Sequence, residues 1–113
     1  MKKDDDVYLG HMLDMARKAV EKTRGMARPS FDKDENLRLA LAHLIQVIGE
    51  AARRVSLETQ LLYPEIPWGE MIGMRHKVVH DYLDLDEDII WDVARVDLPR
   101  LVRALEQIVP AGE

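Results

Sequence analysis

Cysteine is absent from this chain of 113 residues, which removes disulfides, thiolate metal sites and a cysteine nucleophile together. That composition suits a reducing compartment, and the cytoplasm is the expected location. Long apolar runs are missing too, where a membrane-spanning helix needs about 20 such residues. The opening Met1-Lys2-Lys3-Asp4-Asp5-Asp6 also lacks the apolar stretch of a signal peptide, so neither membrane insertion nor export is expected. An excess of positive charge is lacking as well: 16 Lys and Arg stand against 21 Asp and Glu, a net −5. Indiscriminate coating of nucleic acid depends on cations that displace counterions from phosphates, and this balance argues against it.

What remains is 47% apolar and 33% charged, the make-up of a folded helical protein, and residues 1–113 read as one domain. Nothing alternates with the period of a strand, and no repeat or low-complexity tract is present. About Asp5 to Gly25 forms a first amphipathic helix through Leu9, Met12, Leu13, Ala16 and Val20, with aspartates at its start and Gly25 at its stop. Met26 to Ser30 is a connection. Asp32 or Asp34 caps a second and longest helix, whose stripe of Leu37, Leu41, Leu44, Ile45, Ile48, Ala51, Ala52 and Val55 is wide enough to meet two neighbours. Gly49 within it costs about 1 kcal/mol relative to alanine, which points to a close helix approach, internal or between copies.

Leu61 to Pro67 contains two prolines and reads as a turn, with Pro67 at the first position of a third helix. That helix carries Trp68, Met71, Ile72, Arg75, Val78 and Val79 at helical spacing. Asp86 or Asp88 caps a fourth, bearing Ile89, Ile90, Val93, Ala94 and Val96. Pro99 then predicts a kink or a separate fifth helix to Ile108, with Leu101, Val102, Leu105 and Ile108 inward. The expected fold is an all-α, four- to five-helix antiparallel bundle. Trp68 and Trp91 read as packing residues rather than base-stacking ones, and Met12, Met15 and Met26 likewise.

One stretch concentrates chemistry: Arg75-His76-Lys77-Val78-Val79-His80-Asp81-Tyr82. In a straight helix each residue turns about 100°, so Arg75 and His80 point roughly 140° apart, whereas Arg75 and Tyr82 share a face. Either the helix ends between them, or each meets its counterpart from a second chain across a two-fold axis. The second arrangement is favoured.

Three readings compete for this stretch. In the plainest, the valines are core and the charges a solvated face. A metal site is a second, because His76, His80 and Asp84 recur every four residues. Yet Lys77 stands where a zinc-peptidase motif needs Glu, and its charge would repel the ion, so no metal and no cofactor are expected. The third is RNA cleavage without a metal, in which a histidine moves protons and an arginine clamps phosphoryl oxygens. One such histidine per chain falls one short of an acid and base pair, and a homodimer supplies the second. Arg53, Arg54, His76 and Lys77 are candidate RNA contacts, and Glu50 a candidate orienter of Arg75.

The pattern Arg, four residues, His, one residue, Tyr is supplied here by Arg75, His80 and Tyr82. It resembles the signature of the HEPN-type toxins of the HepT family, partners of minimal nucleotidyltransferases. The likeness extends through Ile48-Gly49-Glu50-Ala51-Ala52-Arg53-Arg54, Tyr63-Pro64-Glu65-Ile66-Pro67-Trp68, Met74 to Tyr82, and Ile90-Trp91 to Leu98-Pro99-Arg100-Leu101. The resemblance implies a HEPN bundle that dimerises through the motif helix. It further implies a metal-independent endoribonuclease, the toxin of a type II/VII-like toxin-antitoxin system, with Arg75 and His80 catalytic. Tyr82 would accept AMP from the cognate nucleotidyltransferase antitoxin, placing a bulky anion beside the cleft. The alternative is a non-catalytic substrate-binding subunit of a nucleotidyltransferase complex.

Overall fold

The computed structural model describes residues 3–78 and 85–110, with positions 3 and 75–77 given as helical backbone alone. Helix α1 (Lys3–Thr23) opens with three aspartates in its first turn, where carboxylates complement the positive helix end. It stops before Gly25, whose φ of 70° is the left-handed conformation that glycine adopts without strain. Leu9, Met12, Leu13, Ala16 and Ala19 are buried, and Val20 packs partly against them.

The connection after Gly25 is itself helical, which the sequence reading did not anticipate. Helix α2 (Arg28–Asp32) spans five residues with Pro29 in its first turn, where a missing N–H removes no helical bond. Phe31 is fully buried, its ring centroid 5.0 Å from that of Trp91. Arg28 pairs with Asp32 at 2.7 Å and with Asp88 at 2.6 Å.

Helix α3 (Glu35–Arg54) is capped by Asp34, whose Oδ1 accepts the Leu37 N–H at 3.0 Å. At 20 residues it is one shorter than α1, so it is not the longest. Its predicted stripe is buried from Leu41 to Val55, with Leu37 partly covered. Helix α4 (Leu57–Leu62) takes in Leu61 and Leu62, two residues expected in the turn. Ser56 caps it, its Oγ accepting the Thr59 N–H at 3.3 Å. Asp5, only 2% exposed, accepts from Ser56 N–H at 2.9 Å, Ser56 Oγ at 2.6 Å and Thr59 Oγ1 at 2.6 Å. One of the three N-terminal aspartates is therefore a staple between α1 and α4 as well as a helix-end charge.

Helix α5 (Trp68–Val78) starts one residue after Pro67, whose carbonyl accepts the Met71 N–H at 3.0 Å. Pro67 thus precedes the helix instead of occupying its first position. Helix α6 (Glu87–Asp92) is capped by Asp86, which accepts the Ile89 N–H at 3.0 Å. A π segment, Val93–Asp97, joins it directly to α7 (Leu98–Glu106). The chain therefore accommodates Pro99 with a wide turn upstream, and the helical path continues through it. The wide turn also shifts the helical phase. Val96 is 46% exposed, and Leu98 takes the next buried place.

Long-range contacts fix the directions. The bonds from Ser56 and Thr59 to Asp5 set the start of α1 beside the end of α3, so these helices are antiparallel. Arg17 meets Glu106 at 2.9 Å and Arg95 Nη1 donates to the Thr23 carbonyl at 2.5 Å, laying α7 antiparallel on α1. The Asp86 N–H donates to the Val78 carbonyl at 2.7 Å, and Arg38 meets Glu87 at 3.4 Å. These contacts bring the end of α5 to the start of α3. The result is an all-α antiparallel bundle in which α3 packs on both α1 and α5.

Candidate functional site

The closest approach in the bundle that bears on the motif is between α3 and α5. A Cβ placed on Gly49 would lie 2.7 Å from the Met71 carbonyl oxygen, far inside van der Waals contact, so only glycine allows this spacing. Gly49 thus has the packing purpose expected of it, and that purpose is internal. On α5, Met71, Met74 and Val78 are buried. Ile72 is half-buried, and positions 75 and 76 follow it at three and four residues, the spacing of neighbours on a helix.

Beside Ile72 lies an open groove of about 690 Å³, to which α3 contributes His43, Gln46, Val47, Glu50 and Arg53. The contact of Gly49 with Met71 sets the register of the two antiparallel helices. At about 1.5 Å per residue, position 75 lies about 6 Å along α5 from that contact and His43 about 9 Å along α3 in the same direction. The groove therefore runs alongside the backbone that carries the first half of the motif. His80 and Tyr82 lie outside the described residues, as do the meeting of Arg75 with His80 and the metal reading that needs His80 and Asp84. Among the described residues no group of His, Asp and Glu is placed to hold a metal ion.

Glu50, expected to orient Arg75, forms contacts within its own helix. Arg53 binds it through both arms of its fork, Nη2 to Oε1 at 2.6 Å and Nε to Oε2 at 3.2 Å. Arg54 Nε adds a bond at 3.2 Å. Hydrogen bonding to Arg53, then to Arg54, holds the Glu50 carboxyl below the usual carboxylate range. Arg54 is raised above its ordinary value by hydrogen bonding to Tyr8 and then to Glu50. This triad is exposed, so the positive charge that Arg53 and Arg54 bring to the surface is partly neutralised by Glu50.

The tryptophans are structural, as expected. Trp68 is 8% exposed and its Nε1–H donates to the Tyr63 carbonyl at 3.0 Å. Trp91 packs on Phe31 and lies beneath the Arg95 guanidinium, 5.1 Å away. Met12 is buried, with Met15 and Met26 packed against the core. His43 and Gln46 were missed by sequence reading, because an isolated polar residue on an outer helix face carries no motif. Only the register with α5 brings them to the site.

The structure thus shows an all-α bundle with a polar groove running beside the backbone of residues 75–77. Comparison with known proteins gives the family. A family model described as "Ribonuclease HepT-like" matches residues 12–108. The chain is 31% identical over 108 residues to the "Probable ribonuclease HepT" of Thermococcus cleftensis, covering 96% of this chain and 98% of that protein. It is 30% identical over 102 residues to a protein of Caldanaerobacter subterraneus subsp. tengcongensis named "Putative RNase", covering 90% and 91% of the two chains. With a like-named protein of Methanocaldococcus jannaschii it shares 28% identity over 105 residues, covering 93% and 96%. No solved structure matches. The chain belongs to the HepT-like ribonuclease family, in keeping with its all-α HEPN bundle. No helix among the described residues is long and apolar enough to cross a membrane.

Proposed function

We propose that residues 1–113 form one HEPN domain that acts as a metal-independent endoribonuclease, with a composite site made by two copies of the chain. The observation that carries this reading is the family match over residues 12–108, which includes the whole of Arg75 to Tyr82. In the proposed reaction one His80 takes the proton of a ribose 2′-hydroxyl. The oxygen then attacks the adjacent phosphorus, and the P–O5′ bond breaks. The second His80 of the dimer gives its proton to the departing 5′-oxygen, and a 2′,3′-cyclic phosphate remains. Arg75 stabilises the charge that builds on the equatorial oxygens. His76 and Lys77 supply further positive charge along the strand. Arg53 stands at the far end of the groove, where Glu50 holds it, and Glu50 also binds Arg54 on the same helix.

The test is RNA cleavage in EDTA. The wild-type protein should yield cyclic-phosphate ends, and His80→Ala should lower the rate by about 10²–10⁴-fold, the usual contribution of a positioned acid or base. Equal cleavage by the variant would remove His80 from the mechanism. The wider setting is a cytoplasmic toxin-antitoxin pair in which a nucleotidyltransferase restrains the enzyme. Here the Tyr82 phenol oxygen attacks the α-phosphorus of ATP, loses its proton and releases pyrophosphate. The added AMP repels the substrate's phosphates. Mass spectrometry after incubation with the partner and ATP should find AMP on Tyr82, and an inhibited complex with Tyr82 unmodified would overturn this control. A stable complex with the partner and no cleavage would instead favour a non-catalytic, substrate-binding subunit.

A further inference from the structure

The groove between α3 and α5 has three properties that together select a ligand. Its volume of about 690 Å³ lies within the range of pockets that hold small organic groups. Val47 and Ile72, both half-buried, give it an apolar wall, while His43 is exposed and Gln46 half-buried beside them. Among the described residues that line it, the one arginine, Arg53, is committed to Glu50 through both arms. Arg53 is thus neutralised where it lines the wall, and the described part of the groove is better matched to an uncharged group than to a phosphate. A flat apolar ring with polar edges suits it better. Imidazoles stack on bases, and an amide both donates to and accepts from a base edge.

The helical register adds the position. His43 lies within about 3 Å, measured along the helix axes, of the level of residue 75. A group held here is thus a near neighbour of the motif rather than a distant passenger. We propose that this groove receives an unpaired base of single-stranded RNA, with Val47 and Ile72 as its wall, His43 stacking on the ring and Gln46 reading its edge. These residues then set which nucleotide is presented next to the scissile phosphate. A base paired within a duplex is not available to enter, so the substrate class is single-stranded RNA.

The inference rests on the ribonuclease reading, and the experiment separates the two. A fluorescently labelled single-stranded RNA oligonucleotide is titrated with wild-type protein, with His80→Ala and with a His43→Ala, Gln46→Ala double variant. Cleavage parameters and sedimentation mass are recorded alongside. The double variant should bind about tenfold more weakly or worse, with KM raised and kcat largely kept. His43→Phe should restore much of the affinity by stacking, and His80→Ala should bind like wild type. A duplex of the same sequence should bind more weakly to the wild-type protein.

Unchanged binding and KM in the double variant overturn the base site and leave the ribonuclease reading standing. Binding that depends on His43 without any cleavage supports the base site and removes the nuclease. A double variant that loses self-association makes the groove a seam between copies of the chain and overturns the proposal. No binding and no cleavage by the wild-type protein overturn both.

Discussion

Gly49 and Glu50 are adjacent in the chain, so they point about 100° apart around α3. Gly49 is buried against the backbone of α5, with no room for a single carbon beyond its own. Glu50 is exposed, and among the described side chains its partners are two arginines of the same helix. The inner face is fixed by steric contact with a neighbouring helix, and a change there moves the scaffold that carries the motif. The outer face is fixed by local, solvent-screened attraction, and a change there leaves the scaffold in place.

Replacement at the inner position should have the larger effect. Gly49→Ala gains about 1 kcal/mol of helix propensity, but its Cβ meets a backbone oxygen that cannot rotate away. Displacing α5 should dominate, for a net loss of about 1–3 kcal/mol. Thermal unfolding should show a fall of roughly 5–15 °C, and RNA cleavage should fall with it because the helix bearing Arg75 has shifted. A variant as stable as the wild type would mean that α3 and α5 are not so closely packed.

Glu50→Gln should do far less. Its melting temperature at neutral pH should stay close to the wild-type value, since the pairs it loses are exposed. The sign of its pH dependence follows from the direction of the shift. The folded carboxyl titrates below its unfolded counterpart, so its small stabilisation is complete above the ordinary glutamate pKa and is lost as pH falls through the folded value. Melting curves from pH 7 to pH 3 should therefore converge for wild type and variant at the acid end. A gap that widened on acidification would contradict the assignment.

The same contrast explains what could be read from the chain. Long buried stripes declare themselves by their period, so α1, α3 and the inward residues of α7 were legible, as was the stop at Gly25, while the caps Asp34 and Asp86 were each one of two candidates. Five or six residues are too few to show a period, which hid α2 and α4, although Ser56 and Pro29 marked their starts. The exposure of Val96 could not be read from the chain, because a π turn changes the angle per residue and nothing in the apolar pattern announces that change.

At the site, Arg75, His80 and Tyr82 stand out by residue type and spacing, and the proposed chemistry rests on that pattern. Glu50 has partners three and four residues on in its own helix, Arg53 and Arg54, which helical spacing makes possible, while its proposed pairing with Arg75 involves a side chain outside the described residues. His43 and Gln46 were invisible, because what distinguishes them is a distance set by Gly49 between two helices.

The central claim is that two chains pool their histidines and arginines in one site. It is tested most directly by measuring RNA cleavage per chain in EDTA across a dilution series, with the molecular mass followed by analytical ultracentrifugation on the same samples. The account predicts that specific activity falls in step with the loss of dimer and returns on reconcentration. Full activity per chain from a protein that sediments as a monomer would contradict it.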